Sequence, residues 1–102
     1  MSCLHITGKG SGRMRKYNLI NYFDVWGNEE YGYEVNNLCV EERDIVITDN
    51  ATDKDILEFL VTIGFINTSD ESKVYLQDYG DGMIEIYQRE HNYPLGRLEA
   101  VS

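Results

Sequence analysis

The sequence predicts an α+β domain: a mostly antiparallel sheet of about five to six strands, in the order β-β-β-α-β-β-β, covered on one face by a single amphipathic helix. Three observations predict it. A single segment, from Ile56 to Ile63, carries apolar residues at helical spacing. Elsewhere apolar and polar residues alternate in short runs. Within each half of the chain the links between those runs are rich in Gly, Asn and Asp and of hairpin length, too short for parallel crossovers. With 102 residues, 42% of them hydrophobic, the chain can build one packed core but not two.

Residues 1–13 contain Gly8, Gly10, Ser11 and Gly12 and no acidic residue, which predicts a flexible N-terminal tail ahead of a single domain over 14–102. The Gly-Lys-Gly-Ser-Gly run lacks phosphate-loop spacing and the strand and helix that must flank such a loop. Tyr17 to Trp26 reads as a strand, with Tyr17, Leu19, Phe23 and Val25 on one face, interrupted by Asn21, and Ile20, Tyr22 and Trp26 on the other. Turn chemistry from Gly27 to Gly32 leads into a second strand, Tyr33 to Val40, and the two make a hairpin with a longer loop. The β-branched run Ile45 to Thr48 is a third strand.

Thr52 is placed to cap a helix, with Asp55 three residues on completing a capping box. Ile56, Leu57, Leu60 and Ile63 form its apolar face, Phe59 flanks it, and Gly64 ends it. Lys73 to Tyr79 alternates as a strand. Gly80-Asp81-Gly82 is a tight turn, Met83 to Gln88 the returning strand, His91 to Pro94 a further turn, and Leu95 to Val101 the last strand. Tyr75 and Tyr79 fall on the sheet face opposite Val74 and Leu76.

Charge is the outstanding compositional feature. Eighteen acidic against nine basic residues give −9, and between Tyr17 and Ser72 thirteen acidic residues meet only Arg43 and Lys54. Such a surface repels nucleic acid and anionic membranes and attracts basic proteins. Solubility alone is the bland account of the same charge. Basic patches interleaved with aromatics, as nucleic-acid binding requires, are absent from the sequence. No apolar run is long enough to cross a bilayer, the first residues lack a signal core, and the chain is expected to be cytoplasmic.

Catalytic or metal chemistry finds little support. Cys3 and Cys39 are expected to be reduced, with Cys39 a small buried apolar residue in its strand. His5 and His91 are the two histidines, and no Cys/His spacing resembles a zinc site. A Cys39–His91 pair would need the fold to join them. Asp49 to Asp55 has oxygen ligands at alternate positions but lacks the glycine of a calcium loop, and helix capping explains it. Asp78, Asp81, Glu85 and His91 are the residues a small hydrolase would have to use. No cofactor is expected, and the chain reads as not an enzyme.

The densest functional candidate is Trp26 to Asn37, where aromatic and acidic residues alternate around two glycines. A plain hairpin with packed aromatics and solvated acids is the alternative. The runs Tyr-Phe-Asp-Val-Trp-Gly-Asn-Glu-Glu-Tyr-Gly-Tyr-Glu-Val-Asn-Asn, Ala-Thr-Asp-Lys-Asp-Ile and Tyr-Pro-Leu-Gly-Arg-Leu-Glu resemble small acidic proteins of phages and integrative elements of Gram-positive bacteria. The resemblance covers about residues 14–101 and brings no catalytic residue. It implies a mobile-element setting, in which small acidic inhibitors of host nucleases, including anti-restriction and anti-CRISPR proteins, are common and some imitate DNA.

The expected function is therefore a non-catalytic binding protein that occludes the basic surface of a nucleic-acid-processing or defence protein. Asp24, Trp26, Glu29, Glu30, Tyr31, Tyr33, Glu34, Glu41, Glu42, Asp44, Asp53 and Glu58 are the expected contact residues. The alternative is an assembly module of a phage or element, homodimeric through a sheet edge or the face bearing Tyr75 and Tyr79.

Overall fold

In the computed structural model the described residues are 4–6, as backbone, and 14–101. The elements are β1 (Leu4–Ile6), β2 (Met14–Asn28), β3 (Gly32–Thr48), α1 (Asp53–Thr62), β4 (Val74–Asp78), β5 (Met83–Gln88) and β6 (Tyr93–Ala100), with a 3₁₀ turn over Glu90–Asn92. They form one sheet in the order β1-β3-β2-β6-β5-β4. Pairing from β3 across to β4 is antiparallel, and β1 adds a parallel edge strand on Ile45–Ile47. The fold class is the one the sequence predicts.

Two strands differ from expectation. The runs 33–40 and 45–48 belong to one continuous strand, because Glu41–Asp44 forms a bulge rather than a turn. Pairing steps from Tyr17↔Ile45 to Leu19↔Glu42, leaving two residues of β3 opposite Asn18. Asp44 takes φ 56°, and its N–H donates to Asn18 Oδ1 at 3.2 Å. The third N-terminal strand is instead Leu4–Ile6, within the segment expected as a tail; residues 1–3 and 7–13 lie outside the described residues.

The helix forms as its caps dictate. The Thr52 hydroxyl accepts the Asp55 N–H at 3.1 Å, and an Asp55 carboxylate oxygen accepts the Thr52 N–H at 2.9 Å. At the other end the N–H of Phe65 reaches the Leu60 carbonyl at 2.9 Å and that of Gly64 reaches Val61 at 3.0 Å, a Schellman closure with Gly64 at φ 82°. Ile56, Leu57 and Leu60 are buried against Tyr17, Leu19, Ile45, Ile47, Val74, Ile84, Ile86 and Leu98, which alternate along five strands. Ile63 and Phe59 pack at the margin. Gly96 lets the two halves of the sheet meet. A Cβ there would collide with the Ile20 carbonyl oxygen and come within 2.8 Å of the Phe65 ring.

β6 pairs with β2 only over Tyr17–Asn21. Beyond that point β6 carries Pro94, which has no N–H to offer, and β2 is bulged between Tyr22 and Asp24. The hairpin of β2 and β3 therefore continues as a two-stranded arm. The molecule measures 42 × 27 × 25 Å along its principal axes.

Candidate functional site

The arm holds most of the residues that the sequence singles out. Its tip is a three-residue turn, tighter than the loop expected, because the pairing runs out to Asn28↔Gly32. Asn28 Oδ1 accepts the N–H groups of Glu30 at 3.0 Å and Tyr31 at 2.9 Å. Gly27 and Gly32 both have positive φ, and a side chain at Gly27 would strike the Gly32 carbonyl. Tyr31 is 84% exposed at the tip and Trp26 is 65% exposed opposite Glu34. The Trp26 indole N–H donates to Asp24 Oδ1 at 2.8 Å, and Asn37 Nδ2 donates to the other Asp24 oxygen at 3.1 Å. The ring is thereby held in one orientation while facing water.

From residue 22 to residue 42 the chain carries Asp24, Glu29, Glu30, Glu34, Glu41 and Glu42 and no Lys or Arg. Among the described residues, ion pairs join His91 to Glu29 at 3.0 Å and to Glu90 at 3.7 Å, and Arg97 to Glu99 at 2.9 Å. Among the described residues no cation lies within that reach of the other arm carboxylates. Asp53 and Glu58 are not part of this group. They lie on α1, where Asp53 is held above the usual carboxylate range by burial, with the charges of Glu71 and Asp78 adding to it. Asp44 sits at the bulge, at the base of the arm. The expected contact set therefore divides into an arm group and a helix group.

The tip leans on the β5–β6 turn. The Tyr33 hydroxyl donates to the His91 carbonyl at 2.6 Å, and its ring meets Tyr93 edge-on at 5.6 Å. A cleft of about 660 Å³ lies between them, lined by Glu29, Glu30, Tyr33, Glu90, His91 and Tyr93 among others. His91 and Asn92 take φ of 61° and 51°, a left-handed geometry unusual for non-glycine residues. The carboxylate of Glu29 raises the His91 pKa above the ordinary histidine value.

Two sequence expectations are corrected here. Cys39 is exposed, not buried, because neither face of the arm is covered by the helix. Phe23 is 60% exposed for the same reason, the bulge beside it having broken the alternation that assigns it to the core.

Sequence reasoning missed a second constellation, on the sheet face opposite α1. The Glu85 carboxylate accepts three phenolic hydroxyls: Tyr22 on Oε2 at 2.7 Å, and Tyr87 at 2.6 Å and Tyr79 at 2.9 Å on Oε1. Arg97 donates to the Tyr22 oxygen at 3.3 Å, and the Tyr75 and Tyr87 rings stack at 5.2 Å. Burial pushes the Glu85 pKa up, but the hydroxyl donors outweigh it and hold the carboxyl below its usual range. Burial first, and then the Glu85 carboxylate, push Tyr22 up to about 12. The signal was present: Tyr75, Glu85, Tyr87 and Arg97 all alternate with core residues, so period 2 assigns them to one face.

Asp78, Asp81, Glu85 and His91 are not gathered into a site. Asp78 caps the Gly80 N–H, Glu85 is taken by the three tyrosines, and His91 by Glu29 and Glu90. Among the described residues no three His, Cys, Asp or Glu side chains are grouped to hold a metal ion, and no helix is long and apolar enough to cross a membrane. No protein family, curated protein or solved structure matches the chain.

Proposed function

We propose that the chain is a non-catalytic binding protein of mobile-element origin that uses its acidic arm to occupy the basic surface of a nucleic-acid-binding protein. The observation that carries the reading is the arm itself: a two-stranded projection with six carboxylates, no Lys or Arg, and Trp26 and Tyr31 exposed on it. Trp26, oriented by its bond to Asp24, and the exposed Tyr31 supply contact area, and carboxylates without a cationic partner among the described residues steer a cationic partner and set the orientation of docking. Occlusion of the partner's phosphate-binding face would follow from charge alone, without base-like geometry.

The test replaces Glu30, Glu34 and Glu41 together with Gln and compares capture of proteins from a bacterial lysate at low and high salt. The wild type should retain a nucleic-acid-binding protein that is released as salt rises. The triple variant, with an unchanged circular dichroism spectrum, should not retain it. Capture that is indifferent to both salt and the three substitutions would refute the reading.

A second reading, self-assembly, draws on the outer edge of β3. From Gly32 to Asp44 that edge has no partner strand among the described residues. Glu34, Glu41, Glu42, Asp44 and the bulges stand along it, which is how natural edges discourage pairing. Sedimentation at low and high salt tests this reading; a dimer formed only at high salt, where the charges are screened, would favour it.

A further inference from the structure

We infer that the groove beside Trp26 receives an arginine side chain of the partner, its guanidinium stacked on the indole and paired with Glu34. This rests on the reading of the arm as a surface for a basic protein and names the contact at its centre. Trp26, Tyr31 and Glu34 line a groove of about 380 Å³ on the arm, together with Gly27, Gly32 and Tyr33. Trp26 and Glu34 are direct cross-strand partners, so ring and carboxylate stand side by side on one face.

The chemistry of the rest of the molecule shows what is lacking there. Three arginines lie over tyrosine rings: Arg15 at 5.7 Å from Tyr17, Arg89 at 4.6 Å from Tyr75, and Arg97 at 5.7 Å from Tyr22. Trp26 has the most electron-rich ring of all, yet among the described residues no cation lies over it and none reaches Glu34. Its indole N–H is already committed to Asp24 and the Asp24 carboxylate to Asn37, so the ring is oriented in advance and less ordering is left to binding. A planar guanidinium can stack and pair at once, whereas a lysine ammonium is a hydrated point charge that gains little from the stack. A second copy of this chain is a poor occupant, since it would bring its own carboxylates to the same place.

Trp26 is the only tryptophan, so its fluorescence reports on the groove directly. The intact protein is titrated at low salt with hexa-arginine and hexa-lysine peptides, and affinities are also read from the anisotropy of labelled peptides. Hexa-arginine should perturb Trp26 emission saturably. Trp26→Leu should weaken hexa-arginine roughly 5- to 30-fold and leave hexa-lysine within about 2-fold, given the usual strength of cation–π contacts. Glu34→Gln, which leaves the ring in place, should weaken hexa-arginine more than hexa-lysine. Arginine binding that is equal in wild type and Trp26→Leu, or that leaves Trp26 emission unchanged, would overturn the groove while leaving the arm reading intact. Absence of binding by both peptides would overturn the groove and the arm together.

Discussion

Glu85→Gln tests the polar hub on the open sheet face with little change in volume. The carboxylate accepts hydroxyls from Tyr22, Tyr79 and Tyr87. An amide offers one oxygen and one nitrogen, so whichever way it turns at least one phenol loses its acceptor. The bonds that survive fall from charge-assisted to neutral, a loss of about 1 kcal/mol each, and an orphaned half-buried hydroxyl costs about 1 kcal/mol more. Solvent access to the face and relief of a partly buried charge offset some of this, which leaves a destabilisation of about 1–3 kcal/mol at neutral pH. Urea unfolding followed by circular dichroism should show a lower midpoint with an unchanged slope.

The pH dependence sharpens the test. Glu85 titrates below its ordinary value of 4.5 in the folded state. Its contribution is therefore complete above that value and declines as pH falls through the folded pKa. The gap between wild type and variant should be constant around neutrality and shrink in acid. Tyr22, held at about 12, should titrate lower in the variant without returning fully to the usual tyrosine value of 10.0, since burial is its larger cause. Equal stability at neutral pH, or a gap that persists unchanged in acid, would show that the three hydroxyls are solvated rather than bound.

Leu60→Ala, at a fully buried helix position, should cost about 2–5 kcal/mol in the same unfolding assay, and Leu60→Asp should leave no cooperative transition. Gly96→Ala forces a Cβ against the Ile20 carbonyl and the Phe65 ring, and should destabilise by about 1–3 kcal/mol or more, with the loss of protection from amide exchange centred on Asn18–Asn21. For His91, the raised pKa means that its pairing with Glu29 is fully present below the unfolded histidine value of about 6.5 and is lost as pH rises through the folded value. Protection factors for amide exchange at the arm tip, with the base-catalysed intrinsic rate divided out, should thus fall in mildly alkaline solution in the wild type but not in His91→Gln.

What the sequence displays best is whatever a local rule governs. Thr52, Asp55, Ile56, Leu57, Leu60 and Gly64 obey capping and periodicity rules that act within one helix, and the structure agrees with each. The 15-residue β2 and 17-residue β3 exceed any run of clean alternation, because bulges at Asn18, Phe23 and Asn36 reset the phase that period 2 depends on. Phe23 and Cys39 were misassigned for a related reason. Alternation tells which face a residue occupies, but whether that face is covered depends on how far β6 accompanies β2, and β6 is remote in sequence. The candidate site divides in the same way. Trp26, Glu29, Glu30, Tyr31, Tyr33 and Glu34 are neighbours in sequence and stay together, whereas Asp53 and Glu58 join only if the helix packs beside the arm, which it does not. Glu85 and its tyrosines come from β2, β4, β5 and their flanks, so that hub needed the strand order before it could be seen.

Charge placement separates the two readings of this surface. Were the acidic residues present only for solubility, they would be dispersed, and the stability of the fold would favour pairing them with the available arginines. Arg15, Arg89 and Arg97 instead lie over tyrosines at the main sheet, and Arg97 pairs with Glu99 there. The arm carries six carboxylates and no Lys or Arg between residues 22 and 42, and among the described residues His91 is the one cation paired with them, at the tip. Excess charge of one sign on a single projection costs stability in the isolated protein through self-repulsion, and the cost falls away when a cationic surface is bound. Neutralising Glu30, Glu34 and Glu41 should therefore raise the unfolding midpoint at low salt while abolishing partner binding. Opposite signs for stability and binding at the same three residues are expected of an interaction surface, and a triple variant no more stable than the wild type would remove that argument.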